Sequence, residues 1–238
     1  MSYRLCLRVI TAGLVAQLLP ACERGPESPA AVSAIETSAA AAYVGGHQCA
    51  PCHSDEADAW RDSHHDLAMQ VADSSTILGD FGNTSFEYNG VTTEFFERGS
   101  EYWVRTDGPD GALTEYRISH AFGIEPLQQY LVELTAGQVQ ALSIAWDSRP
   151  VEAGGQRWFH LYPDDTVDHT DPLHWTGTFQ NWNSSCAECH STDLRKDYSM
   201  ATDSYETTFS SIDVDCEACH GPGSLHVAAP EETGLSLA

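Results

Sequence analysis

Hydrophobic and polar positions between residues 84 and 146 alternate in short runs that are separated by turn residues. Thr84–Tyr88 and Val91–Phe96 flank Asn89-Gly90, the strongest short signal for a β-hairpin. Four further runs rich in β-branched and aromatic residues are predicted as strands: 102–106, 113–118, 130–134 and 139–146. Six short strands at this spacing predict an antiparallel sheet within residues 81–160.

The hydrophobic residues that precede the predicted sheet recur with a different period. Ala57, Trp60, Leu67 and Val71 recur at intervals close to the 3.6-residue turn of a helix, which predicts a helix from Asp55 to Val71. From residue 162 onward no period is sustained, and the chain is predicted to form loops, turns and short helices.

Three pairs of cysteines, each with two residues between them, are followed directly by a histidine: Cys49-Ala-Pro-Cys52-His53, Cys186-Ala-Glu-Cys189-His190 and Cys216-Glu-Ala-Cys219-His220. Two thiols at this spacing can form thioethers with the two vinyl groups of one porphyrin, and the next histidine is placed to bind the iron. The sequence therefore predicts three covalently attached haem c groups with His53, His190 and His220 as proximal ligands.

Zinc and disulfides are the other interpretations of paired cysteines. The pairs at Cys186 and Cys216 have the ligand spacing of a four-cysteine zinc ribbon, and thioredoxin-like disulfides use the same spacing within a pair. Neither explains a histidine after every pair, and the pair at Cys49 would lack a zinc partner. Haem attachment is the favoured interpretation.

The N-terminus predicts export. Arg4 and Arg8 precede an apolar run at residues 9–20 that is too short to span a bilayer and suits a signal peptide. Leu18-Leu-Pro-Ala-Cys22 resembles a bacterial lipobox, which implies a lipoprotein signal peptide at 1–21 and a lipid on Cys22. Glu23, in place of aspartate, then implies the outer membrane of a Gram-negative bacterium. An ordinary secretory signal, in which Cys22 has no role, is the alternative.

The expected fold class is α+β, with short helices and loops organised around haem and an inserted antiparallel β-sheet lobe. A Pro-, Ala- and Ser-rich stretch after Cys22 has the composition of a flexible tether. The predicted segments are the signal peptide 1–21, the tether 22–42, a first haem segment 43–80, the sheet lobe 81–160, and a second and third haem segment 161–238.

The chain is strongly acidic, since it has 35 Asp and Glu residues but only 11 Lys and Arg residues, which gives a net charge of −24. Nucleic acids and anionic membrane surfaces are poor partners for such a protein. A redox protein with a basic docking face would be attracted to it at low salt.

Two stretches resemble multihaem cytochromes c of the cytochrome c-552/c-554 type. The stretch Trp60-Arg-Asp-Ser-His-His-Asp-Leu-Ala-Met69 is similar to the W-x-x-S-x-H-x-x-A-M segment of that family, and 216–226 is similar to its C-x-x-C-H-G-P-G-S-x-H segment. Residues 43–238 also resemble the N-terminal haem domain of larger multihaem proteins that continue into tetratricopeptide repeats. This second resemblance implies that further domains can belong to a longer protein.

The resemblance implies that His65 and His226 are distal haem ligands, each to a haem other than the one beside it in sequence. Gly221-Pro-Gly223 turns the chain sharply after His220, so His226 cannot easily reach the far side of its own haem. His64 and Met69, which lie near His65, remain alternatives to it.

Two histidines with aromatic neighbours are the candidates for the third distal ligand. His174 is ranked first because it approaches the second motif in sequence, and His160 is the alternative. His120 has a strand context and His47 stands close to the first motif, so both rank low.

Electron transfer is the expected function, because two histidines on each iron leave no open position. The protein would pass single electrons between periplasmic or cell-surface redox partners, anchored to the membrane through Cys22. The alternative is a reductase or oxidase in which one open haem iron acts on a small nitrogen or sulfur species. The sequence favours an electron carrier over an enzyme.

Overall fold

A computed structural model describes residues 40–229. The predicted signal peptide, the lipidation site Cys22 and most of the predicted tether lie outside the described residues. Within residues 40–229, no helix has the length and apolar character needed to cross a membrane.

The described chain combines short helices with a large antiparallel sheet. The helices are α1 Ser54–Trp60, α2 Trp182–Ser185, α3 Ala187–His190, α4 Cys216–His220 and α5 Ser224–Val227. The strands are β1 Met69–Val71, β2 Gly82–Tyr88, β3 Val91–Arg98, β4 Glu101–Asp107, β5 Leu113–Phe122, β6 Leu127–Glu133, β7 Val139–Ala141, β8 Ile144–Asp147, β9 Arg157–His160, β10 Tyr198–Ser199 and β11 Ser204–Tyr205. This content agrees with the α+β class, while the organisation around haem stays a prediction.

The main sheet is almost closed. Its strands run in the order β2-β3-β4-β5-β6-β8-β9, with β1 paired to β5 and β7 paired to β6. The last strand returns to the first, where the Trp158 indole nitrogen of β9 donates a hydrogen bond of 3.1 Å to Thr84 Oγ1 of β2. The sheet therefore curls towards a barrel.

Aromatic side chains fill the interior of this sheet. Phe95 stacks on Trp158 with ring centroids 3.6 Å apart, and Phe81 meets both rings edge-on. The buried Tyr130 hydroxyl accepts a 3.0 Å hydrogen bond from the Gly79 amide. Alternate residues on β3 and β4 point inward, as the two-residue period of a strand requires.

A second apolar cluster lies on the opposite face of the sheet. On β6, Tyr130 belongs to the interior cluster, whereas the neighbouring Leu131 packs with Met69 and Phe122 outside it. Trp182 completes this outer cluster, against which Ala187 and Cys186 pack. The outer face of the sheet is thus the surface on which the second cysteine motif sits.

The sequence predicts the hairpins of the sheet well. The Asn89-Gly90 hairpin forms with Tyr88 opposite Val91, which confirms that prediction. The predicted strand 139–146 is divided by Leu142 and Ser143 into β7 and β8, and β9 is an additional strand.

The predicted helix from Asp55 to Val71 is wrong beyond Trp60. Asp62 adopts a left-handed backbone with φ of 60°. Its amide donates to the Asp66 carboxylate, and the amide of His65 donates to the Ser63 hydroxyl. Side-chain acceptors of this kind compete with the helix ladder. Residues 69–71 instead form β1 and pair with β5.

Candidate haem-binding site

The three cysteine motifs form short helical turns. Residues three and four apart in a helix share a face, so the two thiols and the histidine of one motif point to the same side. Helix α3 carries the second motif, 186–190, and α4 carries the third, 216–220. In each motif the first cysteine is half-buried and the second is exposed. This arrangement fits a planar group attached along one edge.

The first and third motifs are neighbours. The Gly46 amide, just before the first motif, donates a 2.6 Å hydrogen bond to Asp215, whose other oxygen accepts from the Cys216 amide at 2.5 Å. Burial, Asp215 and the nearby Cys49 together raise the pKa of the Cys216 thiol to about 11. A zinc ribbon would instead pair Cys216 with Cys186, and no group of three metal-ligating side chains converges anywhere in residues 40–229.

His53 and His226 face each other across this pair of motifs. Their ring centroids are 6.2 Å apart and their planes are inclined by 34°. Two imidazoles that bind one metal ion from opposite sides, at about 2.0–2.1 Å each, have centroids roughly 6 Å apart. The spacing therefore fits two axial ligands of one iron.

His65 lies beside the approach to the third motif. The His65 carbonyl oxygen accepts a 3.2 Å hydrogen bond from the Val214 amide, and the Trp60 indole donates to the Val214 carbonyl at 2.9 Å. The His65 side chain is exposed, as is that of His64. Met69, the other alternative, is only 2% exposed and belongs to the outer apolar cluster.

His190 of the second motif is held in one orientation. Its Nδ1 lies 3.0 Å from the Ala68 carbonyl oxygen, and the Phe122 ring meets the imidazole edge-on at 5.3 Å. A carbonyl can only accept, so the Nδ1 atom donates, and Nε2 is the nitrogen that is left to bind a metal. This is the expected state of a proximal ligand.

Two clefts adjoin the motifs. One, of about 700 Å³, is lined by Ala50, Trp60 and Cys216 between the first and third motifs. The other, of about 310 Å³, is lined by Met69, His120 and Trp182 near the second motif. Both volumes lie within the range of cofactor sites, which is about 300–1,000 Å³. The larger cleft fits covalently held haem, because Cys216 of the third motif and Ala50 of the first motif line it.

His174, the first-ranked third distal ligand, lies elsewhere. Its Nε2 is 3.2 Å from the Asp107 carboxylate inside the sheet, and its Nδ1 is 2.8 Å from the Thr176 hydroxyl. The cavity beside it measures about 30 Å³ and is shared with His160, the alternative ligand. Neither histidine is brought near a cysteine motif by these contacts.

His120 was ranked low from its strand context, yet it faces the cleft near the second motif. Its Nδ1 lies 3.0 Å from the Ser119 hydroxyl, which donates to the Leu131 carbonyl. Burial lowers the pKa of His120. The signal in the sequence was its two-residue offset from Phe122, which puts both side chains on the outer face of β5.

Comparison with known proteins adds a family match. The family described as "Cytochrome c554 and c-prime" matches residues 48–79 and 166–221. These segments contain all three cysteine motifs, His65 and the Ala68-Met69 pair. The comparison with curated proteins finds no match.

Two solved structures are similar over most of the chain. The outer cell wall cytochrome OcwA has 22% identity and a TM-score of 0.48, covering 78% of this chain and 32% of its own. The undecahaem cytochrome from the S-layer of Carboxydothermus ferrireducens has 21% identity and a TM-score of 0.46. The match covers 79% of this chain and 22% of that cytochrome. The chain thus spans about a third and about a fifth of these proteins.

The motifs and the family match define a c-type cytochrome, a protein that carries haem c covalently and transfers electrons. Over residues 48–79 and 166–221 the chain is similar to multihaem cytochromes c of the cytochrome c554 type.

Proposed function

We propose that the protein is a trihaem electron carrier in which the first and third motifs exchange distal ligands. The observation that carries the proposal is the 6.2 Å separation of His53 and His226, which belong to segments far apart in sequence. That separation is the one expected of two imidazoles that bind one iron from opposite sides. His226 would therefore complete the ligation begun by His53.

His65 is proposed as the distal ligand paired with His220. Its backbone bonds to Val214, one residue before the cap of α4, which carries the third motif. The first-motif segment would thus supply a ligand to the third haem, and the third-motif segment would supply one to the first. Haem supplies one-electron chemistry at iron, and an iron with two histidine ligands offers no position to a substrate.

The predicted location is the periplasm or cell surface, because c-type attachment takes place outside the cytoplasm. The lipobox-like sequence before Cys22 supports a lipid anchor in the outer membrane, and the acidic surface supports a partner with a basic docking face. Further domains would belong to a longer protein, as the resemblance to repeat-containing relatives implies.

The cleft near the second motif favours one alternative function. It contains the His120 imidazole and the Glu133 carboxylate, two groups that can move protons beside a reacting molecule. If the second haem has no distal ligand, a small nitrogen or sulfur species would be the substrate there. His120 would either bind that iron or serve it as an acid or base.

A carbon monoxide difference spectrum of the dithionite-reduced protein, calibrated against total haem, tests these functions. Three haems without a carbon monoxide shift support a carrier with every iron six-coordinate. A shift in about one third of the haem indicates one open iron and supports the alternative. Fewer than three haems per chain would contradict the trihaem proposal.

A further inference from the structure

Glu217 occupies an unusual place for a charged residue. It is the first residue between the two cysteines of the third motif, yet it is only 3% exposed. Among the described residues, no lysine or arginine forms an ion pair with it; its partners are backbone amides. A buried carboxylate is retained only when its oxygens are well hydrogen-bonded, so these contacts explain its position.

Three amides from two distant segments converge on the Glu217 carboxylate. The Val44 amide lies 3.0 and 2.9 Å from its two oxygens, and the Gly45 amide lies 2.6 Å from Oε2. From the other side, the Gly223 amide donates to Oε1 at 2.7 Å. One carboxylate therefore joins the approach to the first motif to the chain that leaves the third.

The two joined segments lead directly to the facing histidines. Gly223 stands at the cap of α5, the short helix that carries His226. Gly45 begins the turn that leads into Cys49 and His53. Gly45 has a φ of 83°, which suits glycine, and the amide after it, that of Gly46, donates to Asp215 rather than to Glu217.

We propose that Glu217 is a positioning residue that sets the reach of His226 to the iron held by His53. Its carboxylate fixes Gly223 relative to Gly45, and so fixes α5 relative to the first motif. This inference rests on the proposed function, because it assumes that His53 and His226 share one iron.

The substitution E217Q tests the proposal in the haem-loaded protein. Glutamine replaces one acceptor oxygen with a donor, which opposes at least one of the three amides. We expect E217Q to gain one carbon monoxide-binding haem per chain over the unaltered protein, with three haems still attached by mass. Electron paramagnetic resonance should show the matching loss of one low-spin ferric haem.

Glu188 provides the matched control, since it is the other glutamate inside a motif. Its side chain is 71% exposed and lies 3.4 Å from Lys196. We expect E188Q to bind no more carbon monoxide than the unaltered protein. An equal gain in E188Q and E217Q would overturn the proposal.

The variant H226A separates this inference from the ligation on which it rests. If H226A gains one carbon monoxide-binding haem and E217Q gains none, Glu217 does not position the ligand. If H226A gains no carbon monoxide-binding haem, His53 and His226 do not share an iron and both proposals are wrong.

Because glutamine can prevent folding, E217D is measured as well. Its shorter side chain cannot reach all three amides, and we expect carbon monoxide to bind to a fraction of one haem per chain. No gain in E217D, beside a gain in H226A, would also contradict the proposal.

Discussion

His226 and His174 were assigned the same role from the sequence, but their surroundings differ. His226 faces His53 at the separation of two axial ligands, whereas His174 has an aspartate and a threonine as partners. We expect H226A to add one carbon monoxide-binding haem per chain and H174A to add none. The visible difference spectrum of each reduced variant, with H65A as a second ligand variant, measures this directly. A gain in H174A would restore it as a distal ligand.

The buried pair of Asp107 and His174 should instead affect stability. Burial raises the pKa of Asp107, but the His174 imidazole 3.2 Å away and the hydrogen bond from Thr106 outweigh burial and hold this pKa below its usual value. The folded state is therefore stabilised above the ordinary carboxyl pKa of about 4, and loses this contribution as the pH falls through the lower folded pKa. H174A, which leaves a buried acceptor unpaired, should cost about 1–3 kcal/mol at neutral pH.

Guanidinium unfolding at several pH values checks that expectation. The difference in free energy of unfolding between the unaltered protein and H174A should be largest at neutral pH and should narrow below about pH 4. H169A is the control, since His169 is exposed. A constant difference down to pH 2 would show that Asp107 is not the group responsible.

The roles of individual residues were predictable from the sequence where they depend on the spacing of residues close together in the chain. The cysteine motifs are contiguous in sequence, so their identity needed no fold. The contacts of Glu217 were not predictable, because two of its three amide partners lie more than 170 residues away in the chain. His120 was also ranked low because its surroundings depend on distant contacts. Its side chain lines a cleft only because the second motif packs near β5.

At the scale of elements, Gly137 couples the sheet to the haem segment. It lies in the turn between β6 and β7 with a φ of 71°, and a Cβ atom there would overlap the Tyr205 carbonyl oxygen of β11. Gly90 has a similar φ of 79° but open space around it. Comparing alanine at the two positions separates backbone strain from the clash.

We expect G90A to lower the free energy of unfolding by about 1–2 kcal/mol, the cost of a left-handed residue with a Cβ atom. G137A should cost about 1–3 kcal/mol more, because the neighbouring strand must move. Guanidinium unfolding of the two haem-loaded variants measures the difference. Equal losses would mean that the contact between Gly137 and Tyr205 carries no strain.

The sheet was more predictable than the helices because its signals are local. Asn89-Gly90 fixes a hairpin within a few residues, and alternation then fixes the register. The segment after Trp60 has a helical period, yet the side chains of Ser63 and Asp66 accept backbone hydrogen bonds that end the helix. The pairing of β1 with β5 joins the first haem segment to the sheet, and no local pattern reveals such a distant contact.

For the whole molecule, contacts between segments connect the three cysteine motifs to one another and to the sheet. The second motif packs on the outer face of the sheet, and Thr192, just after it, bonds to Asp213 and Asp215 before the third. Glu217 and Asp215 then hold the first motif against the third. The sheet, which the sequence predicts as an inserted lobe, is therefore a scaffold for the segments that carry the motifs.

The net charge of −24 predicts how this molecule meets its partners. Opposite charges accelerate encounter at low salt, and the Debye length falls from about 30 Å at 0.01 M to about 8 Å at 0.15 M. Oxidation of the reduced protein by a cationic cobalt(III) complex should slow by about tenfold or more over this range. Oxidation by anionic hexacyanoferrate(III) should become faster instead. Stopped-flow traces at the haem α-band measure both rates, and slopes of the same sign would show that the acidic surface is remote from the site where electrons leave.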